Sequence, residues 1–370
     1  MSRRLLAAGF SRRQILQVGL MAGGAMLSAS SWQTAQAQVN TKKIGYIYVG
    51  PQSDYGYNYS MDLGRQYVEK TLGVETTYFD NIPESAEVER VMERLIRDDH
   101  GIIFATSYGY LDHAITVGQK YPEVSFLHAG GLKLGANVGT YWADSDDAIY
   151  LAGMVAGSLS KTGKLGFLGA FQIPQVLRTI NAFTMGAQSI NPEATTTVVW
   201  TGAWLDPPKE AEVANALLDG GADVLAGQVD SPLTFAQTAE RRGAYVVGKD
   251  VNVTEFAPKA WLTGASWNWG PMMVDLVKQI QGGTWKPEFV RGTLKGGDVV
   301  LDPFGPAVPS EVQAKVMAVK EQILSGVKVV WSGPIIKQDG SEVVASGVKL
   351  PMETLESMNF LVKGVIGSAS

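Results

Sequence analysis

Residues 42–65, KKIGYIYVGPQSDYGYNYSMDLGR, decide how the rest of this chain is read. Lys43 to Val49 is a short apolar run rich in Ile, Tyr and Val; a loop bearing glycine and proline follows, and helical spacing begins near Tyr59. This is one strand-loop-helix unit, and open α/β sheets hold small molecules at strand ends of this kind. Tyr55, Tyr57 and Tyr59 offer flat apolar faces, while Asp54 and Asn58 offer directional hydrogen bonds. The combination suits a small, planar, polar molecule.

The unit repeats. Strand-like runs at 43–49, 75–79, 101–105, 124–128 and 138–142 alternate with helical patterns at 59–71, 85–99 and 111–120; in the second helix Val88, Val91, Met92, Leu95 and Ile96 share one face. After Asp146 the rhythm restarts, with helices at 147–159, 178–190, 208–219 and 234–242 between strands at 165–169, 196–200, 224–227 and 244–247. Repeated βα wiring implies a parallel sheet flanked by helices, so the pattern predicts an α/β chain of two such lobes with a ligand between them. Helices at 271–281 and 310–324 and a hairpin around Gln338-Asp-Gly-Ser341 read as returns that complete the lobes. The expected division gives lobe 1 residues 42–143 and 262–300, lobe 2 residues 144–261 and 301–345, and a C-terminal extension 346–370. Hinge crossings are expected near Asp144, Trp261 and Pro303.

The first 37 residues carry Arg3, Arg4, Arg12 and Arg13 but no acid, then a weakly apolar run from Val18 to Leu27, then Ala35-Gln-Ala37. Charged, apolar and small-residue zones in that order make a cleavable export signal. Its Ser11-Arg-Arg-Gln-Ile-Leu16 core resembles the twin-arginine motif, with Ile15 in place of the usual Phe, which points to a periplasmic product cleaved near Ala37. Loss of four arginines takes the formal charge from −5 to −9, and no basic block occurs anywhere, so nucleic acid and anionic membranes are poor partners. The absence of cysteine excludes disulfides, thiolate metal sites and a Cys nucleophile.

Motifs for catalysis are weak. Ser158-Leu-Ser-Lys161 and Lys161-Thr-Gly163 match fragments of penicillin-interacting enzymes, but there the two motifs lie far apart, whereas here they share a residue. Ser107 and His128 can be imagined as nucleophile and base, yet no nucleophile elbow surrounds Ser107. His100, His113 and His128 are too widely spaced for a helical metal pair. No enzyme, metal or cofactor is expected. The residues that follow the strands say more: Tyr57 and Asn58, Ser107 and Tyr108, His128, Trp142, then Phe171, Trp204, Gln228 and Asp230, Lys249 and Asp250, and Trp267. Aromatic and short polar groups thus gather on one edge of both sheets.

These features together resemble the basic membrane protein family, the purine-nucleoside-receptor group of ABC-importer substrate-binding proteins. The resemblance rests on Asp54-Tyr-Gly-Tyr-Asn58 for the family's Asp-x-x-Phe-Asn loop, Tyr121-Pro-Glu123, Tyr150-Leu-Ala-Gly153, Gly221-Ala-Asp-Val224 and Gly248-Lys-Asp250. It implies a type I periplasmic-binding-protein fold, a small-molecule ligand, an inner-membrane ABC permease as partner and a monomer. By resemblance, Tyr57 and Trp204 would stack on opposite faces of a purine, Asn58 would bond the ring edge, and Asp250 would face sugar hydroxyls. Two departures stand out. Leu127-His-Ala-Gly-Gly131 lacks the family's base-reading acid, and Trp267 lies near the place of a ribose-side Lys. A bulky indole there favours a free base such as adenine over its nucleoside, with Asp230 as a new acceptor for an exocyclic amine. The expected ligand set is Tyr57, Asn58, Trp204, Asp230, Asp250, Trp267, Tyr108, His128 and Trp142. The alternatives are a nucleoside or other small polar solute in the same fold, or an enzyme acting on a purine.

Overall fold

The computed structural model describes residues 40–369; the export signal and its cleavage near Ala37 lie outside them. The first lobe is built from β1 (Lys43–Ile47), α1 (Tyr57–Leu72), β2 (Glu75–Phe79), α2 (Glu87–Arg97), β3 (Ile102–Ala105), α3 (Leu111–Lys120), β4 (Ser125–Ala129) and β5 (Val138–Ala143). The chain then crosses to α4 (Asp146–Leu159), β6 (Lys164–Gly169), α5 (Pro174–Gln188), β7 (Thr195–Trp200), α6 (Pro207–Asp219), β8 (Val224–Gln228), α7 (Pro232–Arg242), β9 (Tyr245–Asp250) and β10 (Trp261–Trp267). It returns for α8 (Trp269–Gln281) and β11 (Phe289–Gly292), then runs through β12 (Val299–Leu301), α9 (Ser310–Leu324), β13 (Ile335–Ile336), β14 (Glu342–Val344), α10 (Met352–Glu356) and β15 (Val365–Ile366).

Two sheets result, ordered β11-β5-β4-β3-β1-β2 and β12-β10-β9-β8-β6-β7-β15. Every pairing in them is parallel except β10 with β12. This is the two-lobed α/β arrangement of type I periplasmic binding proteins. Successive strands run in one direction because a helix returns the chain between them, so all the βα loops of a lobe emerge at one edge.

The lobe boundaries differ from the sequence reading. Residues 262–267 belong to β10, which pairs with β9 in the second sheet, so the return to lobe 1 begins at α8. Residues 365–366 of the expected extension pair with β7, closing that sheet's far edge. The crossings therefore fall at 143–146, 267–269 and 292–299 rather than at Trp261 and Pro303. Residue patterns along β10 report that it is a buried strand but not which sheet it joins.

Helix ends follow local chemistry. The Asp206 carboxylate accepts from the Lys209 N–H at 3.0 Å, and prolines sit in the first turn of α6. Helices α4 and α5 pack backbone to backbone: a Cβ on Gly153 would lie 2.2 Å from the Phe183 carbonyl oxygen, and one on Gly186 2.0 Å from that of Tyr150. This close approach fixes α5, whose first turn reaches the site. Gly153→Ala must push the pair apart, and the expected loss is about 1–3 kcal/mol, read as a lower unfolding midpoint in urea; an unchanged midpoint would show that the pair tolerates separation.

Candidate functional site

The loops after β1, β3 and β5 face those after β6, β7, β8 and β9 across a cleft. Between them is a cavity whose empty space, part of it open to solvent, is about 480 Å³. Lobe 1 contributes Val49, Tyr57, Ser107, Tyr108 and Trp142 to its wall; lobe 2 contributes Ile173, Gln175, Trp204, Gln228, Asp230, Asp250 and Trp267. Tyr57 and Trp267 meet edge to face at 5.5 Å, and Trp142 and Trp267 at 5.1 Å. Trp204, also on lobe 2, is braced edge-on by Phe171 at 5.1 Å. A wider vestibule lined by Gly50, Asn81, Phe171, Trp204 and Asp230 forms the mouth.

The lobes are closed on one another. The buried Asn58 amide donates to Asp54 Oδ2 at 2.7 Å within its own lobe and to Asp230 Oδ2 at 3.0 Å across the cleft. Gln175 Nε2 donates to the Gly130 carbonyl at 3.1 Å, Trp267 Nε1 to that of Ala143 at 3.0 Å, and Tyr55 packs edge-on to Phe256 at 4.9 Å. Gly56 lets the backbones meet, since a Cβ there would lie 2.1 Å from the Asp230 carbonyl oxygen. At the first crossing Arg178 holds both Asp144, at 3.0 Å, and Asp146, and Asp146 also accepts from Trp331 Nε1 at 2.8 Å.

Several expected residues take other positions. Asn58 is fully buried with its amide committed to the two aspartates and to the Gly50 N–H, so it joins lobes instead of lining the cavity. Asp54 turns inward, accepting from the N–H groups of Gly56, Asn58 and Tyr59 at 2.8–2.9 Å, and so caps α1. Tyr59 packs against the core of lobe 2. His128 is fully buried, lies outside the cavity wall and is held neutral by burial, which lowers its pKa to about 4. Ser107 donates to Glu84 Oε1 at 2.6 Å, so no nucleophile-base pair with His128 forms. Tyr57, Trp204, Asp230, Asp250, Trp267, Tyr108 and Trp142 all line the cavity. Gln175 was missed because the helix read from Arg178 begins one turn earlier, at Pro174, where proline suits the first helical position.

The polar groups are heavily desolvated. Burial, reinforced by the nearby Asp54 and Asp250, pushes Asp230 well above the usual carboxylate range, with the Asn58 hydrogen bond opposing. Burial raises Asp54 to about 6 against its four hydrogen bonds, and Glu210 to about 7. Lys249, itself buried, donates to Asp250 Oδ1 at 3.0 Å and lies 3.6 Å over the Trp267 ring; burial pulls the lysine down and the aspartate up, and each opposes the other's shift. The site is thus a low-dielectric chamber walled by rings, with the side-chain oxygens of Gln175 and Gln228 buried and unpaired among the described residues.

Two outcomes follow. Gly56→Ala should prop the lobes apart, seen as a larger radius of gyration in X-ray scattering; an unchanged radius would remove Gly56 from closure. The raised carboxyls Asp54, Asp144, Asp147, Asp302 and Glu210 keep protons that the unfolded chain has lost, so their stabilisation is full below about pH 4 and fades as pH rises through 6 to 7. His128 and Lys249, both lowered by burial, act in the opposite sense but are outnumbered. Melting of the ligand-free protein should occur at higher temperature at pH 5 than at pH 8; the reverse order would contradict these shifts.

Residues 41–331 match the family model described as ABC transporter substrate-binding protein, PnrA-like. A purine-binding protein of Brucella abortus is 39% identical over 325 residues, covering 87% of this chain and 92% of its own. A Haloferax volcanii protein whose name assigns it to glucose binding in an ABC transporter is 33% identical, covering 88% and 81%. The solved structure of an ABC transporter solute-binding protein from Conexibacter woesei superposes with a TM-score of 0.64 at 26% identity, over 78% of this chain and 97% of that one. Proteins of this kind bind small molecules and meet a membrane permease, and they are typically exported. On its sequence, its two sheets and the cavity between them, the chain belongs to the PnrA-like family of ABC transporter substrate-binding proteins.

Proposed function

We propose that this chain is the receptor of an importer for a free purine base, adenine above others, which it holds between its lobes and yields to an inner-membrane permease. The observation that carries the reading is an aromatic wall drawn from both lobes: Tyr57, Tyr108 and Trp142 from one, Trp204 and Trp267 from the other. Rings from both lobes suit a flat heterocycle, since each base-aromatic stack contributes ~1–3 kcal/mol. The relative named for purine binding supports the same ligand class.

Trp267 supports base over nucleoside. Its indole occupies part of the wall beside Asp250, and the Lys249 ammonium over its ring is already given to Asp250. The acid and cation suited to sugar hydroxyls therefore engage each other. Asp230 is suited to the base edge: Asn58 binds one of its oxygens, and the other takes no protein hydrogen bond among the described residues. Protonated, it donates to a ring nitrogen; ionised, it accepts from an exocyclic amine. The chain binds and does not transform, with Ser107 committed to Glu84. Export by the twin-arginine route to the periplasm and a monomeric state belong to the same proposal.

A nucleoside remains the second reading because Asp250 does line the cavity. Calorimetric titration separates them: adenine should bind one to one, with adenosine at least about tenfold weaker, and tighter adenosine binding would overturn the choice. Tyr57→Ala and Trp204→Ala should each weaken adenine by about tenfold or more, while Tyr57→Phe, which keeps the ring, should change little. Unaltered affinity in both alanine variants would assign those rings to packing alone.

A further inference from the structure

We infer that Gln175 is a specificity-determining residue of this cavity: closure of the lobes orients its side-chain carbonyl to accept an N–H on the edge of the ligand. This rests on the purine reading and adds which purines the site admits. Gln175 stands in the first turn of α5, on lobe 2, and its Nε2 donates across the cleft to the Gly130 carbonyl of lobe 1 at 3.1 Å. A carbonyl only accepts, so that bond decides which end of the amide is nitrogen and leaves Oε1 as the other end. Oε1 is buried and has no partner among the described residues. A buried acceptor without a donor is costly, and a bound molecule that brings an N–H removes the cost.

Gly130 is itself held. It adopts a left-handed backbone, and a Cβ on it would lie 3.2 Å from the Trp142 ring, so the carbonyl that orients Gln175 is set by a glycine wedged against the cavity wall. Gln175 and Trp142 line the main cavity together with two small voids behind it that lead toward Arg178. Three donors of the wall are committed: the Tyr57 hydroxyl to the Thr106 carbonyl, Ser107 to Glu84, Trp267 Nε1 to Ala143. An amino-purine offers the donor that Gln175 lacks. An oxo-purine in the same pose sets carbonyl against carbonyl, leaving both oxygens desolvated and unpaired. The competing occupant of Oε1 is a water in the void shared with Arg178.

Calorimetry of wild type and Gln175→Met with adenine, unsubstituted purine and hypoxanthine separates these cases, with Gln175→Ala as the second variant should the first not fold. Wild type should favour adenine over both other bases by at least tenfold. In the variant, loss of the bond to Gly130 weakens both bases alike, and adenine should lose at least tenfold more affinity than unsubstituted purine. Equal losses for adenine and purine would make Gln175 structural, and no loss would hand Oε1 to the buried water; either overturns the inference, as would a wild type that favours hypoxanthine. Wild-type binding of none of the three bases would sink the purine reading itself, and this inference with it.

Discussion

One buried amide organises this molecule. Asn58 offers two N–H groups, and they go to carboxylates on different lobes, Asp54 at 2.7 Å and Asp230 at 3.0 Å. Two acids drawn that close in a dry chamber repel when both are ionised, and the amide is the donor that lets them share it. The roles of the acids differ. At Asp54 the N–H groups at the start of α1 oppose the rise that burial imposes, whereas Asp230 has only the Asn58 amide to oppose it. Burial in the closed cleft thus leaves Asp230 well above the usual carboxylate range at the mouth of the aromatic cavity. In an open form water would solvate the pair and the distinction would fade.

The rings and the polar bridges depend on each other. Tyr57, Trp142, Trp204 and Trp267 exclude water, which strengthens every hydrogen bond in the cleft. The bridges in turn hold the two halves of the ring wall together. A ligand shifts such an equilibrium only by contacts that the closed form makes and the open form lacks. Gln175 is one such contact, since its amide is oriented by a carbonyl from the other lobe. Arg178, held by Asp144 and Asp146 and backed by Trp331, ties the first crossing to the helix that carries Gln175. Cavity wall, amide and hinge therefore lie along one continuous set of contacts.

Local chemistry was legible in the sequence. The helices at 111–120 and 310–324 have the bounds that their spacing predicted, because periodicity and capping act over a few residues. The alternation of strand and helix likewise gave two parallel sheets. What could not be read was pairing at long range. Asn58 looked like a ligand residue because its partner Asp230 is 172 positions away. β10 was placed in the wrong lobe because a buried strand reads the same in either sheet. His128 lies one residue before the end of β4 yet outside the cavity wall, a matter of packing depth that no motif records.

The central claim is that the lobes close around a purine base. The chain has no cysteine, so one can be placed at exposed Arg90 on α2 and another at exposed Glu212 on α6 and both spin-labelled without background. Double electron-electron resonance should show a broad or long distance distribution without ligand that narrows and shortens at saturating adenine. A distribution unchanged by adenine would contradict the account.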